Sequence, residues 1–271
     1  MVQLTHDHDM ARPMEHWLPS IRSVPGDRPW LWLSAGWRDM MASPVISFGY
    51  GALAVISSFV LLAGLAMYEM HYLILPLAGG FMLLGPVFAV GLYESSRMQE
   101  NHRKPTLGGV VSAYHRNGAQ LAAMGLALMI VFFAWIRLAF LLFMLFFSED
   151  PPALNMLVEK IFFSSVTPGF LLVGTAVGFV MAATVFAISV VAIPMLLDRQ
   201  SDAFSAMATS IKACRENPRT MAIWAALIAL FMSAGIATGF LGLLIAFPLI
   251  GHASWHAYRD IVDRDGMTGR E

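Results

Sequence analysis

Long apolar stretches, each able to cross a bilayer, constrain this chain more than any other feature. Hydrophobic residues make up 58% of its 271 residues and charged residues only 13%, whereas soluble domains carry about 45–50% apolar and about 25% charged residues. A crossing helix needs about 20 apolar residues. Because backbone polar groups in lipid must be satisfied within the protein, such segments fold as helices. The sequence therefore predicts an all-α polytopic membrane protein.

About six transmembrane helices account for these stretches. The last apolar run is interrupted by small residues from Gly235 to Gly239, and glycine disfavours a helix interior. We therefore divide this run into two short spans, although one long helix over 219–258 would also use its apolar residues. The six predicted spans are 45–68, 72–93, 118–147, 165–197, 219–234 and 240–258.

The basic residues predict the orientation. Of the 17 lysines and arginines, only Lys160 falls in a predicted outer loop and only Arg137 in a span. The others lie in segments that share the opposite side, and lysine and arginine accumulate on the cytoplasmic side of a membrane. The prediction is a multi-pass protein of the bacterial cytoplasmic (inner) membrane, with both termini in the cytoplasm.

One order of features occurs three times along the chain. Each time, an amphipathic segment is followed by a residue pair that ends its helix, which we call the breaker. Two spans follow, and then a charged segment where the chain leaves the membrane, which we call the exit. The breakers are Ser43-Pro44, Asn117-Gly118 and Asn217-Pro218. We predict three parallel helix-pair repeats, each preceded by a cytoplasmic amphipathic helix at the membrane interface.

The first amphipathic segment, residues 30–42, places Leu33, Trp37, Met40 and Met41 on one predicted apolar face. The predicted domain organisation is a disordered polar tail at 1–29, a single integral membrane domain at 30–262 and a short polar tail at 263–271. His6 and His8 of the first tail alternate with aspartates, a pattern that we interpret as polar tail rather than as a weak metal site.

Several stretches at the charged exits resemble a bacterial family of predicted integral membrane proteins, domain of unknown function 2189. The resemblance covers about residues 30–262 and implies the membrane architecture without an established activity. Some such proteins are loosely associated with respiratory oxidases, but this chain has too few spans and too few intramembrane histidines to be a haem–copper catalytic subunit. The stretches that carry the resemblance are 35–39 (AGWRD), 84–94 (LGP…GLYE), 186–199 (FAIS…PMLLDR) and 251–260 (GHASWHAYRD).

The histidine pair of the last exit is the first candidate site. His252 and His256 stand one helical turn apart and Arg259 continues the spacing, so the three side chains are predicted to face one side. Two imidazoles could hold a metal with a third ligand, or one could bind haem iron. The alternative is a pair of interfacial histidines bonded to neighbouring helices or lipid headgroups. We predict no cofactor.

Arg137 and four glycines are the other candidates. An arginine within a span is costly and normally faces water, an acid or the headgroup region. Arg137 is therefore predicted to reach the outer interface or to pair inside the bundle. Glycines separated by four positions allow helices to approach closely, and we predict such packing for Gly174, Gly178, Gly235 and Gly239.

No nucleotide-binding or catalytic motif accompanies these features. The sequence therefore favours a non-enzymatic structural, assembly or accessory protein whose partners are the lipid bilayer and a membrane protein or further copies of itself. The first alternative is a small-solute transporter or channel, and the second is a metal- or haem-binding protein linked to respiration. The net charge of −1 gives no reason to expect a nucleic-acid partner.

Overall fold

The computed structural model describes residues 18–70, 73–147, 164 and 166–263, and these residues are helical apart from short connections. The predicted all-α architecture is therefore confirmed for the described part of the chain. In chain order the helices are α1 (Arg28–Ala42), α2 (Pro44–Met67), α3 (Ile74–Phe88), α4 (Val90–Glu100), α5 (Leu107–Arg116), α6 (Gly118–Phe147), α7 (Thr167–Ser189), α8 (Ala192–Asp198), α9 (Ala203–Glu216), α10 (Pro218–Ala237) and α11 (Leu243–Ile261).

Five stretches are long and apolar enough to cross a membrane. They are Pro44–Met67, Pro76–Glu100, Gly118–Phe147, Thr167–Asp198 and Pro218–Ala237. Two of them contain a break. In the fourth, Pro194 has no N–H to offer the carbonyl four residues earlier, and α7 ends at Ser189 before α8 begins.

The sixth predicted span, 240–258, is not among these five. It corresponds to α11, which follows α10 after a short turn, so the predicted division of the last apolar run matches two helices. The turn includes Gly239 and Phe240, both with positive φ. The second half of α11 carries His252, His256 and Arg259, and these polar side chains set it apart from the five apolar spans.

Three elbows join an amphipathic helix to the span that follows it. Ser43, Asn117 and Asn217 have nearly the same backbone conformation, with φ of −130°, −135° and −126° and ψ of 60°, 47° and 50°. Two of them precede a proline, which disfavours the helical region for the residue before it and suits the first position of the new helix. The chain therefore turns in the same way between α1 and α2, α5 and α6, and α9 and α10.

The ends of α4, α8 and α11 pack against each other at one end of the bundle, which we call the charged end because most ion pairs of the described residues lie there. The three amphipathic helices lie around this centre. Helix α1 packs mainly along α11, α5 along α4, and α9 along α7 and α8. Helices α5 and α9 thus each contact the last helix of the span before them, α4 and α8 respectively. Helix α1 has no span before it and instead contacts α11, the last helix of the chain.

The orientation of α1 differs from the prediction. Leu33 and Met40 are buried, whereas Trp37 and Met41 are exposed, so these four residues do not form one face. The buried side also contains Trp32 and Gly36, because α1 uses it to contact α11. Close packing against a helix, rather than a lipid interface alone, decides which face turns inward.

The predicted disordered tail is wrong for its last part. Ile21 forms a β-bridge with Val262, and the backbone N–H of Val24 donates to the side chain of Asn217 at 2.8 Å. Arg22 also pairs with Asp263 at 2.6 Å. These contacts hold the segment before α1 beside the end of α11. Residues 1–17, 148–163 and 264–271, which include His6, His8 and the predicted outer loop, lie outside the described residues.

The contact between α1 and α11 gives a first testable prediction. A Cβ atom on Gly36 would lie 2.7 Å from the backbone nitrogen of Ala253, so Gly36→Ala must push the two helices apart. We expect a loss of about 1–3 kcal/mol, which is typical of overpacking, measured as a lower Tm in mild detergent. Gly49→Ala is the matched control, because open space surrounds Gly49; an unchanged Tm for Gly36→Ala would contradict the close approach.

Candidate functional site

Three buried or half-buried acids organise the charged end. Glu94 lies in the middle of α4, Asp198 ends α8, and Asp260 is one residue before the end of α11. A carboxylate removed from water is stable only when it is paired and hydrogen-bonded. Each of these acids accordingly binds cationic or polar side chains from other parts of the chain.

Glu94 is 2% exposed and accepts hydrogen bonds from two arginines. Arg97 lies one turn away on α4, with its Nε 2.8 Å from the carboxylate, and Arg116 reaches it from the end of α5 at 3.1 Å. Two guanidinium groups, each with a planar set of donors, suit a carboxylate that has four lone-pair positions. This cluster fixes α5 against α4.

Asp260 ties the first helix to the last. Arg28 donates from Nε and Nη2 to its two oxygens at 2.6 and 2.7 Å, and the indole N–H of Trp32 donates at 2.8 Å. Burial alone would raise the pKa of the Asp260 carboxyl, but these hydrogen bonds and the nearby arginine charges outweigh it and hold that pKa below its ordinary value.

Asp198 accepts hydrogen bonds from the Tyr258 hydroxyl at 2.8 Å and from Arg259 at 3.1 Å. Arg259 also pairs with Glu100 on α4, so it connects α4, α8 and α11. The guanidinium group of Arg259 is thus bound by acids of two neighbouring helices.

His252 is completely buried between two serines. Its Nε2 lies 2.9 Å from the hydroxyl of Ser47 on α2, and its Nδ1 lies 2.8 Å from the hydroxyl of Ser96 on α4. A neutral imidazole offers one donor and one acceptor, and each hydroxyl can play either role. The ring is therefore fully satisfied by the protein and connects three helices.

His256 contacts a different group. Its Nε2 lies 2.8 Å from the Asp39 carboxylate on α1, so the two rings do not converge on one ligand position. Among the described residues, no group of three or more histidines, cysteines, aspartates or glutamates is placed to hold a metal ion. The geometry matches the alternative in which the histidines bond to neighbouring helices.

The remaining predicted site residues lie away from the charged end. Arg137 is exposed on α6, and no described residue hydrogen-bonds to it or pairs with it. Of the glycines, Gly178 contacts Trp135 of α6, and Gly235 packs against the turn that precedes α11. No described atom lies within 4 Å of a Cβ atom placed on Gly174 or Gly239, and Gly239 lies in the turn with positive φ, so a packing role for these two stays a prediction.

Two cavities open between the helices at the level of the spans, with volumes of about 610 and 580 Å³. Both are lined mainly by apolar side chains, and neither is lined by His252 or Arg137. The polar residues of the charged end and the cavities are therefore separate features.

Sequence reasoning found only part of the charged end. Glu94, Asp198 and Asp260 lie in the charged exits that follow the three predicted helix pairs, so the sequence pattern pointed to them. Ser47, Ser96 and Asp39 were missed, because a serine or aspartate near a helix end is common and has no distinctive spacing. The close contacts of small residues, such as that between Gly36 and Ala253, were visible only as part of the family resemblance.

The stretches that carry the family resemblance converge at the charged end. Gly36 faces Ala253, and a Cβ atom on Gly251 would clash with Leu92. Comparison with known families gives one match: residues 74–198 fit a family described as "Predicted integral membrane protein (DUF2189)". The match confirms the predicted resemblance over that part of the chain, and no curated protein and no solved structure matches.

The buried histidine gives the second prediction. His252→Leu would leave the Ser96 hydroxyl without its partner, and a buried unsatisfied polar group costs about 1–3 kcal/mol. We expect a lower Tm for His252→Leu and partial recovery when Ser96→Ala is added, because the double variant leaves fewer unpaired groups. His115→Leu on the exposed face of α5 is the control. Equal Tm values for the single and double variants would contradict a structural role for this hydrogen bond.

Proposed function

We propose that this multi-pass integral membrane protein is a non-enzymatic accessory or assembly component of a larger complex in the bacterial inner membrane. The observation that carries the proposal is one face of the outer part of α6, which carries Arg137, Leu141 and Leu145 and is not covered by the described residues. The charged end supplies the rigid base on which this part is held.

Helix α6 extends beyond the start of α3, while its last turns pack against Phe170 of α7. The indole N–H of Trp135 donates to the carbonyl of Pro76 at 2.8 Å, so Trp135 lies beside the outer start of α3. The 136–147 segment therefore continues for about 18 Å past that point, at 1.5 Å per residue. The neighbouring α2–α3 connection carries the exposed acid Glu69, which suits the membrane surface rather than its interior.

This extension is apolar and exposed. Leu141, Met144 and Leu145 have exposed side chains, whereas Phe147 is buried against Phe170 of α7. The segment belongs to a stretch long and apolar enough to cross the membrane, where either lipid or the apolar face of a partner helix can cover it. Arg137 lies at the base of this surface, where an acid of a partner helix could pair with it.

The charged end supports a structural role. The buried acids and both histidines of this end are bound by other side chains of the same chain. A catalytic or binding group must instead be able to meet a substrate. The hydrogen bonds and ion pairs are best explained as links that fix the relative positions of α1, α4, α8 and α11.

The alternative functions receive less support. A transporter of a polar solute needs a path lined by polar groups, but the two cavities are apolar and do not reach His252 or Arg137. A metal or haem site would need the histidines to face a common position, and they contact serines and an aspartate on different helices.

For topology we infer six crossings in three parallel repeats, with the charged end in the cytoplasm. The shared elbow conformation of Ser43, Asn117 and Asn217 supports the repeat. The bridge between Ile21 and Val262 supports a sixth crossing, because α10 leaves the charged end and α11 returns to it. The basic residues of the connections at that end favour the cytoplasmic side.

Cysteine labelling tests this topology. Cys214 is first replaced by serine; burial raises the pKa of its thiol to about 11, so little reactive thiolate is present there at neutral pH. We expect new cysteines at Ser23, Asn101 and Gln200 to react with a membrane-impermeant maleimide only after the cells are opened, whereas Glu69→Cys reacts in intact spheroplasts. If one of the cysteines at Ser23, Asn101 and Gln200 reacted from the opposite side of the membrane to the other two, the repeats would not be parallel.

Photocrosslinking tests the partner surface. With a benzophenone amino acid at Leu141 or Leu145, we expect adducts to a second protein in native membranes. The same group at Val60, which is equally exposed on α2, is the control and should give lipid adducts only. We also expect Arg137→Gln to reduce the protein adduct severalfold, because it removes the charge at the base of the surface.

Two outcomes would contradict the proposal. Leu141 and Leu145 could give only lipid adducts like Val60, or all three positions could give the same protein adducts. Adducts between two copies of this chain would assign the surface to a homo-oligomer.

A further inference from the structure

The outer half of α2 stands apart from the other spans. Near its start, α2 touches α11 so closely that a Cβ atom on Gly51 would clash with the Leu244 carbonyl. Farther out, the rings of Phe59 and Phe240 meet edge to face with centroids 6.2 Å apart. Phe240 belongs to the turn between α10 and α11, so the support that this hairpin gives to α2 ends there.

Helix α2 continues beyond this contact to Met67, about 12 Å farther at 1.5 Å per residue. The hairpin of α10 and α11 is thus shorter than the helix on which it leans. The larger of the two cavities, with a volume of about 610 Å³, lies along α2 between this helix, α3 and the hairpin, since Ile236, Phe240 and Phe247 also line it. We call this cavity the α2 slot.

The α2 slot is long and apolar. Its lining residues on α2 run from Tyr50 to Leu65, a distance of about 22 Å along the helix. Apolar side chains of α2 and α3 face it along this length, including Leu53, Leu77 and Leu84. An extended hydrocarbon chain is apolar along its whole length and is flexible enough to follow such a space.

Aromatic side chains line the inner end of the α2 slot. Tyr50, Phe88 and Tyr114 line that end, and the Tyr114 hydroxyl donates to the Phe88 carbonyl at 3.1 Å. The walls are formed mainly by aliphatic and aromatic side chains, including Leu61 of α2 and Ala78 of α3. Such a lining gives water too few hydrogen-bonding partners to occupy the space stably.

We propose that the α2 slot binds one acyl chain of a membrane phospholipid. The slot lies along a membrane span and is surrounded by lipid, which is present at high concentration and has chains of suitable shape. The volume of the slot is within the usual range for a ligand site. If the slot were empty, the side chains that line it would lose the van der Waals contacts that a bound chain provides. The chain fills the space that α2, α3 and the hairpin leave between them. This site is independent of the partner surface on α6.

Lipid retention tests the proposal. The purified protein is exchanged into detergent after reconstitution with palmitoyl-oleoyl phosphatidylethanolamine and phosphatidylglycerol, and native mass spectrometry counts the lipids that stay bound. We expect one tightly retained phospholipid per chain. Leu61→Trp and Ala78→Phe add side-chain volume from opposite walls and should lower this occupancy at least about tenfold.

Val60→Trp is the matched control, because Val60 is exposed on α2 but does not line the slot. A Tm measured for every variant identifies any that fails to fold, and Ala78→Phe and Leu61→Trp test the slot separately. The proposal is overturned if the wild-type protein retains no phospholipid, if both filling variants retain it as the wild type does, or if Val60→Trp loses it equally. Retention of a free fatty acid instead of a phospholipid would also overturn the assigned source.

Discussion

The close approach of α1 to α11 is the contact on which the rest of the structure depends. Gly36 allows the backbone of α1 to meet Ala253, and Arg28 holds Asp260 at the end of the same interface. Helix α11 in turn carries the histidine that binds α2 and α4. If α1 were held farther away, the segment before it could not pair with Val262, and the first and last units would not meet.

Packing is uneven along the membrane normal. At the charged end, small residues and paired charges bring α4, α8 and α11 together, and their side chains are almost completely buried. Toward the other end, the described helices leave two apolar cavities between them. A bundle that is fixed at one end and open at the other can hold lipid chains and partner helices without losing its own fold, which is the physical basis of the two proposals.

Sequence reasoning was most reliable where one local rule dominated. The bounds of α6 equal the predicted third span, because an uninterrupted apolar run has no competing structure. The elbow at Asn217 was visible because proline follows it. The predicted face of α1 was wrong, since Leu33 and Trp37 are equally apolar and only the position of α11 decides which is buried. The pairing of His252 with Ser96 could not be predicted, since 156 residues separate them.

The sequence alone determined that this chain is a helical membrane protein, where its spans begin and which connections carry positive charge, because these properties follow from the cost of placing polar groups in lipid. Only the tertiary structure decided what the polar residues do. Two histidines one turn apart satisfy different partners, Arg259 bonds to acids on other helices, and Arg137 faces outward. These outcomes depend on how separate helices are positioned relative to each other, and small residues at their contacts set those distances.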